Sequence, residues 1–503
     1  MKKALRSNFE QWNALGLTGE DLLKPKIAVV NSSSELAAGC SQLDGIARII
    51  KEAVRGAGGL PFEVRTAVAG DIFTGTGYHL ASRDLIVNDM EIAIEGARLD
   101  GMICLSSGNT TPAAHLMAAG RFNVPAILVM CGYQPGDARM GTANSMHIVC
   151  EALGMALPGS APILANSPRM FDYCRRAGRR IVEMVWDDLK PRDILTPGSF
   201  ENAAAAMLAV SGSINCIKHL QATAIEAGVD VDVFQLFNDL GDEVPVLSAV
   251  APNGTDTIEA FEAAGGAKAL MLQLESLLDR SAVTVTGKTV GDNLADAEVF
   301  DEEVIRPIDR PFSNKPPIVV LHGSLAPESA IVKLGVRGPD RKTQFIGAAS
   351  VYENGPDAID AIQRGDVKPG HVLVVRGMGP KGGPGMAGPA SRVVFAIDAA
   401  GLSDEVAFVS DGQLSGLCVK GIMVAEVSPE SAIGGPLSLV ENGDTIRIDV
   451  DARVLDINVS DVDLASRRAR KGEPVLPASK GYLSIYQRTV QPMSTGAVLI
   501  EQT

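Results

Sequence analysis

The sequence predicts an α/β protein in which an N-terminal doubly wound parallel-sheet domain precedes a C-terminal β-barrel-like domain. Three observations carry that expectation. Over the first part of the chain, short apolar runs ending in small or polar residues alternate with helical patterns, the signature of a parallel sheet wound with helices. Glycine is abundant (52 residues) while aromatic residues make up only 4%, a composition suited to close helix–sheet packing and short turns. Past a stretch rich in proline and charge, the pattern changes to strands separated by Gly/Pro turns, with fewer long helices, as in a barrel. With 503 residues, 46% of them apolar, the chain is long enough for two or three domains with sizeable cores.

Taken in order, residues 26–31 (KIAVVN), 100–105 (DGMICL) and 124–131 (VPAILVMC) are expected as parallel strands. Leu43, Ile46, Ile50 and Val54 recur at three- and four-residue intervals ahead of Gly56 and the Gly58-Gly59 pair, which predicts a helix; Leu85, Asp89, Ile92 and Gly96 mark a second. The α/β domain is expected over 1–310 and the barrel-like domain over 318–503, with a linker at 305–317 (IRPIDRPFSNKPP). Within the second domain, 318–321, 372–375, 406–409 and 445–450 read as strands.

A formal charge of -15 offers no basic stripe for phosphate backbones or anionic lipid, so neither nucleic acid nor membrane is expected as a partner. No apolar run approaches the roughly 18 residues of a membrane helix. The N-terminal MKKALRSNFE lacks the apolar core of a secretory signal. Seven cysteines (Cys40, Cys104, Cys131, Cys150, Cys174, Cys216 and Cys418), none in a C-x-x-C pair, point to free thiols in a reducing cytoplasm. An anionic small molecule would have to be held by local cations or backbone amides.

Open α/β sheets bind ligands beyond the carboxyl ends of their strands. Those ends here carry Asn31-Ser-Ser-Ser-Glu35, Ser106-Ser-Gly-Asn-Thr-Thr111 and Cys131-Gly-Tyr-Gln134, all small or polar. Thr111 ahead of Pro112 reads as an N-cap with proline at the first helical position, which would aim free amides at an anion; ordinary capping is the alternative. The histidines show no H-E-x-x-H or comparable spacing.

Several longer motifs run through nearly the whole chain in a fixed order. They are Pro25-Lys-Ile-Ala-Val-Val-Asn-Ser32, Thr142-Ala-Asn-Ser-Met146, Glu151-Ala-Leu-Gly154, Ser211-Gly-Ser-Ile-Asn215 and Val304-Ile-Arg-Pro-Ile-Asp309, then Gly379-Pro-Lys-Gly-Gly-Pro-Gly-Met386, Ser410-Asp-Gly412 with Ser415-Gly416, and Ser428-Pro-Glu430. Together they resemble the dihydroxy-acid dehydratase and phosphogluconate (sugar-acid) dehydratase family. The resemblance implies a hydro-lyase that converts a small hydroxy or sugar acid to a 2-oxo acid, with Ser415 removing the C2 proton. The segment 304–309 resembles the aldonate branch in particular. Carried onto this chain, the family's motifs suggest Ser34, Asn109, Thr110, Thr111, Asn144, Ser145, Lys381, Gly383 and Gly416 as substrate-binding positions. A homodimer or dimer of dimers follows by the same analogy.

The family works with an iron–sulfur cluster and a neighbouring magnesium, and this sequence departs from it at most of their ligands. The magnesium glutamate aligns with Gly388, the Cys-Asp-Lys run with part of Ser106–Thr111, the third cysteine with Asp137, and the first with Gly39 and not the adjacent Cys40. Asp71 is the one acidic position near a magnesium ligand that remains, and Glu426 stands where a histidine is common. A rearranged site would have to use Cys40 and Cys131 with Cys104 or Asp137, so no cofactor is expected from the donors that are left. Two further readings follow: a cluster-free isomerase, epimerase or other elimination on a hydroxy acid, and a non-catalytic hydroxy-acid-binding paralogue.

Overall fold

A computed structural model describes residues 12–69, 73–336, 341–386 and 388–499. Strands β1 (Lys26–Asn31), β2 (Leu60–Arg65), β3 (Gly101–Ser106) and β4 (Ala126–Met130) form a wholly parallel sheet in the order β2-β1-β3-β4. The three expected strands lie within a residue or two of their predicted bounds. β2 was not foreseen: its LPFEVR sequence contains a proline and two charges, which are tolerated because it is the edge strand.

Helix α1 (Leu43–Gly56) buries Leu43, Ile46, Ile50 and Val54, the predicted stripe. In α2 (Tyr78–Ala97) the expected stripe points the wrong way: Leu85 and Ile92 are 38% and 77% exposed, and the helix packs through Ile86, Val87, Met90 and Ile94. The periodicity misled because α2 also buries Arg83 and Asp84, so apolar residues do not mark a single face. Next come α3 (Thr110–Phe122), α4 (Thr142–Ala152), α5 (Pro168–Asp187), α6 (Pro197–Ala209), α7 (Asn215–Ala227), α8 (Val233–Gly241) and α9 (Gly266–Gln273). α1 and α5 pack together on one face of the sheet, and α2 and α3 on the other, with α7 behind α3. Glycine sets the closeness of these layers. A Cβ at Gly178 of α5 would stand 2.7 Å from that of Ala53, and one at Gly120 of α3 would stand 2.9 Å from that of Ala227.

The remainder forms one eight-stranded sheet: β5 (Ile318–Leu321), β6 (Ser329–Lys333), β7 (Gln344–Tyr352), β8 (His371–Val375), β9 (Ala407–Ser410), β10 (Met423–Ser428), β11 (Thr445–Asp449) and β12 (Val454–Ile457), ordered β12-β11-β7-β8-β9-β10-β6-β5. A bridge between His322 and Val454 joins the two outer strands, so the sheet curls into a barrel around its own apolar core, which includes Leu321, Val332, Val374, Val409, Val424 and Leu455. The predicted strands correspond to β5, β8, β9 and β11. The other four were missed because their runs are interrupted or ended, by a charged residue in β6, β10 and β12 and by small and polar residues in β7.

Helices α10 (Gly355–Arg364), α11 (Pro389–Ala399) and α12 (Asp461–Lys471) flank the barrel, and α13 (Tyr482–Thr489) packs on α2. Two features lock the halves together. Segment 305–317 is laced to the first half, with Arg306 N–H donating to Leu247 O and Phe312 N–H to Val246 O, both at 2.8 Å. Residues 482–497 return to α2, where Tyr486, Val490, Met493 and Ala497 share a small core with Leu80, Ala81 and Met386. Among the described residues, no helix is long and apolar enough to cross a membrane.

Candidate active site

A cavity of about 320 Å³ lies between the two halves, lined by Ser415 and Leu417 of the β9–β10 loop and by the starts of five helices. These are α2 (Thr74, His79), α3 (Gly108, Asn109), α4 (Gly141, Thr142, Ala143), α7 (Asn215) and α11 (Gly388, Ser391, Arg392). A helix start leaves N–H groups without intrahelical partners and carries a fractional positive charge, so a convergence of starts favours an anion. At α2 and α7 these groups are already bonded, Tyr78 and His79 to Thr76, Leu80 to Pro384 O and Asn215 to Ser213 Oγ. The open starts among the described residues are those of α3, α4 and α11. The capping pattern sharpens this. The N-caps of the five (Gly77, Asn109, Gly141, Ile214 and Gly388) accept no side-chain hydrogen bond. By contrast, Ser167, Thr196, Asp232, Asn354 and Ser460 do cap α5, α6, α8, α10 and α12, whose starts do not line the cavity. α1, α9 and α13 are uncapped as well.

Two guanidinium groups add full charge. Arg139 lies 3.6 Å from Asp137, whereas exposed Arg392 has no ion-pair partner among the described residues. Replacing Arg392 by alanine is expected to weaken the binding of a carboxylate ligand about tenfold, by calorimetry, with little change in melting temperature. Asn215 is fully buried, donates to Thr142 Oγ1 at 3.1 Å and keeps its Oδ1 without a partner among the described residues, an acceptor for a ligand hydroxyl. Two larger surface depressions, about 650 Å³ between α5 and α9 and about 950 Å³ beside α12, show no such convergence of helix starts.

Ser415 is tethered on three sides. Its N–H donates to Ser391 Oγ at 2.8 Å, its carbonyl accepts from Cys418 N–H at 3.0 Å, and its Oγ accepts from Leu417 N–H at 3.2 Å. Gly416 packs on Ser213, where a Cβ would come within 2.8 Å of that residue's own. Asp411 ties the loop to its neighbours by accepting from the backbone N–H groups of Gly377, Met378 and Ser431. Glu426, in a left-handed conformation (φ 54°) unusual for a side-chain-bearing residue, is fully buried beside this loop. Its carboxylate accepts from Gln413 at 2.7 Å and lies 3.5 Å from the ammonium of buried Lys218, which reaches across from α7.

Of the substrate positions suggested by the motifs, Asn109 lines the cavity and the others do not. Thr111 is not the N-cap: Asn109 is, and the Thr111 hydroxyl turns back onto the carbonyl of Ser107 while accepting that residue's N–H. Thr110 is buried and bonds to Asn109 Oδ1. Asn144 and Ser145 brace the wall, donating to Arg139 O and Gly141 O at 2.9 Å each. Ser34 caps its own turn by accepting from Leu36 N–H. Lys381 and Gly383 belong to the glycine loop that Glu430 anchors through the N–H groups of Lys381 and Gly382. Gly416 is buried beneath Ser415. Asp71 lies outside the described residues.

The described residues do not fit a cluster with its magnesium. At Gly39 a Cβ would stand 2.7 Å from Ser107 Oγ, and that hydroxyl instead donates to the Gly39 carbonyl at 2.7 Å. Gly39, where the family's first cysteine aligns, therefore offers no side chain, and what faces it is a serine hydroxyl. Cys40, Cys104 and Cys131 are buried, and burial raises each thiol above its ordinary value, which disfavours the thiolate a metal needs. Cys131 points at the carbonyl of Val129. Asp137 lines the cavity while the three thiols do not, and among the described residues no three His, Cys, Asp or Glu side chains converge as metal ligands.

The chain matches the family model described as dihydroxy-acid/6-phosphogluconate dehydratase N-terminal over residues 24–139 and 135–293, and its C-terminal counterpart over 303–497. It is 36% identical over 536 residues to a dihydroxy-acid dehydratase of Ignicoccus hospitalis, covering 97% of this chain and 96% of that protein. A dihydroxy-acid dehydratase of Acetivibrio thermocellus is 37% identical over 537 residues, with the same coverage.

Proposed function

The chain belongs to the dihydroxy-acid/6-phosphogluconate dehydratase family, and from that premise we propose that it is a carbon–oxygen lyase acting on a small hydroxy or sugar acid, with Ser415 as the base. The observation that carries the proposal is the sharing of one cavity by Ser415 and the helix starts, of which those of α3, α4 and α11 keep open amides among the described residues. A carboxylate held by the free amides and Arg392 would place its α-carbon near the serine, and the enolate charge that develops as the proton leaves would meet the same positive ends.

The step balances without an outside reagent. Ser415 Oγ, as the alkoxide, takes the C2 proton; the C–H electron pair becomes the C2=C3 bond; the C3–O bond breaks. The proton now on Ser415 passes to the departing oxygen, which leaves as water, and the enol tautomerises to the 2-oxo acid. No metal enters this scheme, because the donors among the described residues do not fit one. Protein purified without oxygen is therefore expected to be colourless, with iron and sulfide far below stoichiometric; a visible charge-transfer spectrum with stoichiometric iron would contradict it.

The replaced ligand positions favour a second reading, in which the same proton abstraction ends in return of a proton to C2, giving an isomerase or epimerase. Incubation of aldonates in heavy water distinguishes the outcomes. Formation of 2-oxo acid supports dehydration, deuterium at C2 without loss of water supports the second reading, and binding with neither supports a non-catalytic paralogue.

A further inference from the structure

Lys333 ends β6 with its side chain 2% exposed, and among the described residues no carboxylate pairs with it. The titratable groups that face it are the thiols of Cys216 on α7 and Cys418 after the Ser415 loop, and burial raises both, so neither supplies a compensating anion. An isolated buried ammonium is costly unless something uses it. Its hydrogen bonds identify the use. The ammonium donates to the carbonyls of Ser211 and Gly416, at 2.8 Å each. The Gly416 carbonyl belongs to the same peptide unit as the Leu417 N–H, and that N–H donates to Ser415 Oγ at 3.2 Å.

We propose that Lys333 is a positioning residue that makes the Ser415 hydroxyl more acidic by polarising the Gly416–Leu417 peptide, while its second bond holds the Ser415 loop in register with the Ser211–Asn215 segment of the other half. A cation on the carbonyl end of a peptide strengthens donation from its N–H end, because bonds in such a chain polarise one another. An acceptor that becomes anionic gains most from that donation, so the alkoxide is favoured over the hydroxyl. The coupling is reciprocal: an anion at Oγ holds the proton on Lys333, whose burial otherwise draws its pKa from 10.5 down to about 7.

This inference deepens the reading of Ser415 as the base, and its test needs no substrate. The seven native cysteines are all buried, so Ser415→Cys introduces the one thiol on the cavity wall. Its pKa is read from the pH dependence of iodoacetamide alkylation and, independently, from thiolate absorbance against the parent protein. Three backgrounds are compared: native Lys333, Lys333→Met, and Lys333→Gln, which keeps donors without charge and serves if the methionine variant does not fold. With Lys333 present the thiol pKa is expected to be lower by about one unit than in the uncharged variants, roughly tenfold more thiolate at a given pH below it. An unchanged pKa in folded Lys333→Met or Lys333→Gln protein would overturn the inference and leave Lys333 as a tie between two loops. If instead Ser415→Ala retained full turnover, the base assignment would fail, and the thiol titration would still report whether the peptide relay operates.

Discussion

Ser415→Ala is expected to lower kcat on a responsive hydroxy acid by about a thousandfold or more while leaving ligand affinity within a few-fold. General-base contributions fall in the range of 10²–10⁴, and in the proposed scheme the same hydroxyl both takes the proton and returns it to the leaving oxygen, so one deletion removes two transfers. Affinity is spared because the groups that would hold a carboxylate are the helix starts and Arg392, none of which depends on the Ser415 side chain. The fold should tolerate the change. The lost hydroxyl leaves the Leu417 N–H without its acceptor, a cost of about 1 kcal/mol at a half-buried position. Single-turnover kinetics beside calorimetric binding checks the result; retained turnover, or affinity lost in step with kcat, would refute the assignment.

Arg83→Met is expected to destabilise the protein by about 3–5 kcal/mol, the largest single loss the structure suggests outside the apolar core. Arg83 is fully buried on α2 and donates to the carbonyls of Gly496 (3.0 Å) and Ala497 (2.6 Å), while pairing with buried Asp84 at 3.2 Å. Removing it orphans two carbonyls and strands a carboxylate. The effect carries a pH signature. Burial already raises Asp84 to about 6 in the folded protein, with Arg83 opposing that rise. A folded pKa above the unfolded value of 3.8 means this group favours folding most below about 4 and loses that contribution as pH rises through about 6. Without Arg83 the folded pKa climbs further, so the deficit should be smaller in mild acid than at neutral pH. Urea denaturation of Arg83→Met and of Arg83→Met/Asp84→Leu across that range tests it; the double variant should recover part of the loss.

The strands legible in the sequence are those whose residues are uniformly apolar, such as β4 (AILVM) and β5 (IVVL), because burial on both faces leaves an unbroken run. β10 (MVAEVS) was illegible because Glu426, which opposes Lys218 in the interior, reads locally as a solvated charge. The same limit governs the site. Ser415 and Asn109 stood out through motifs and strand-end position. Arg392 and Lys333 did not, since a cation facing a cavity and one facing water look alike until the fold assembles. The convergence of helix starts left a faint trace in glycine at 141 and 388, where a capping side chain would ordinarily stand.

The hydrogen bond from Arg83 to Ala497 spans 414 positions, and it has a consequence for synthesis on the ribosome. When α2 leaves the exit tunnel, its guanidinium and the neighbouring carboxylate have each other but not the two carbonyls that complete their shell. Nor can the small core around Leu80 close until residues 486–497 arrive. The first half must therefore wait, incompletely satisfied, for nearly the whole chain to be translated, and such waiting exposes apolar surface to aggregation. A version of the protein rearranged so that residues 482–497 precede α2 would be predicted to refold faster while keeping the same cavity.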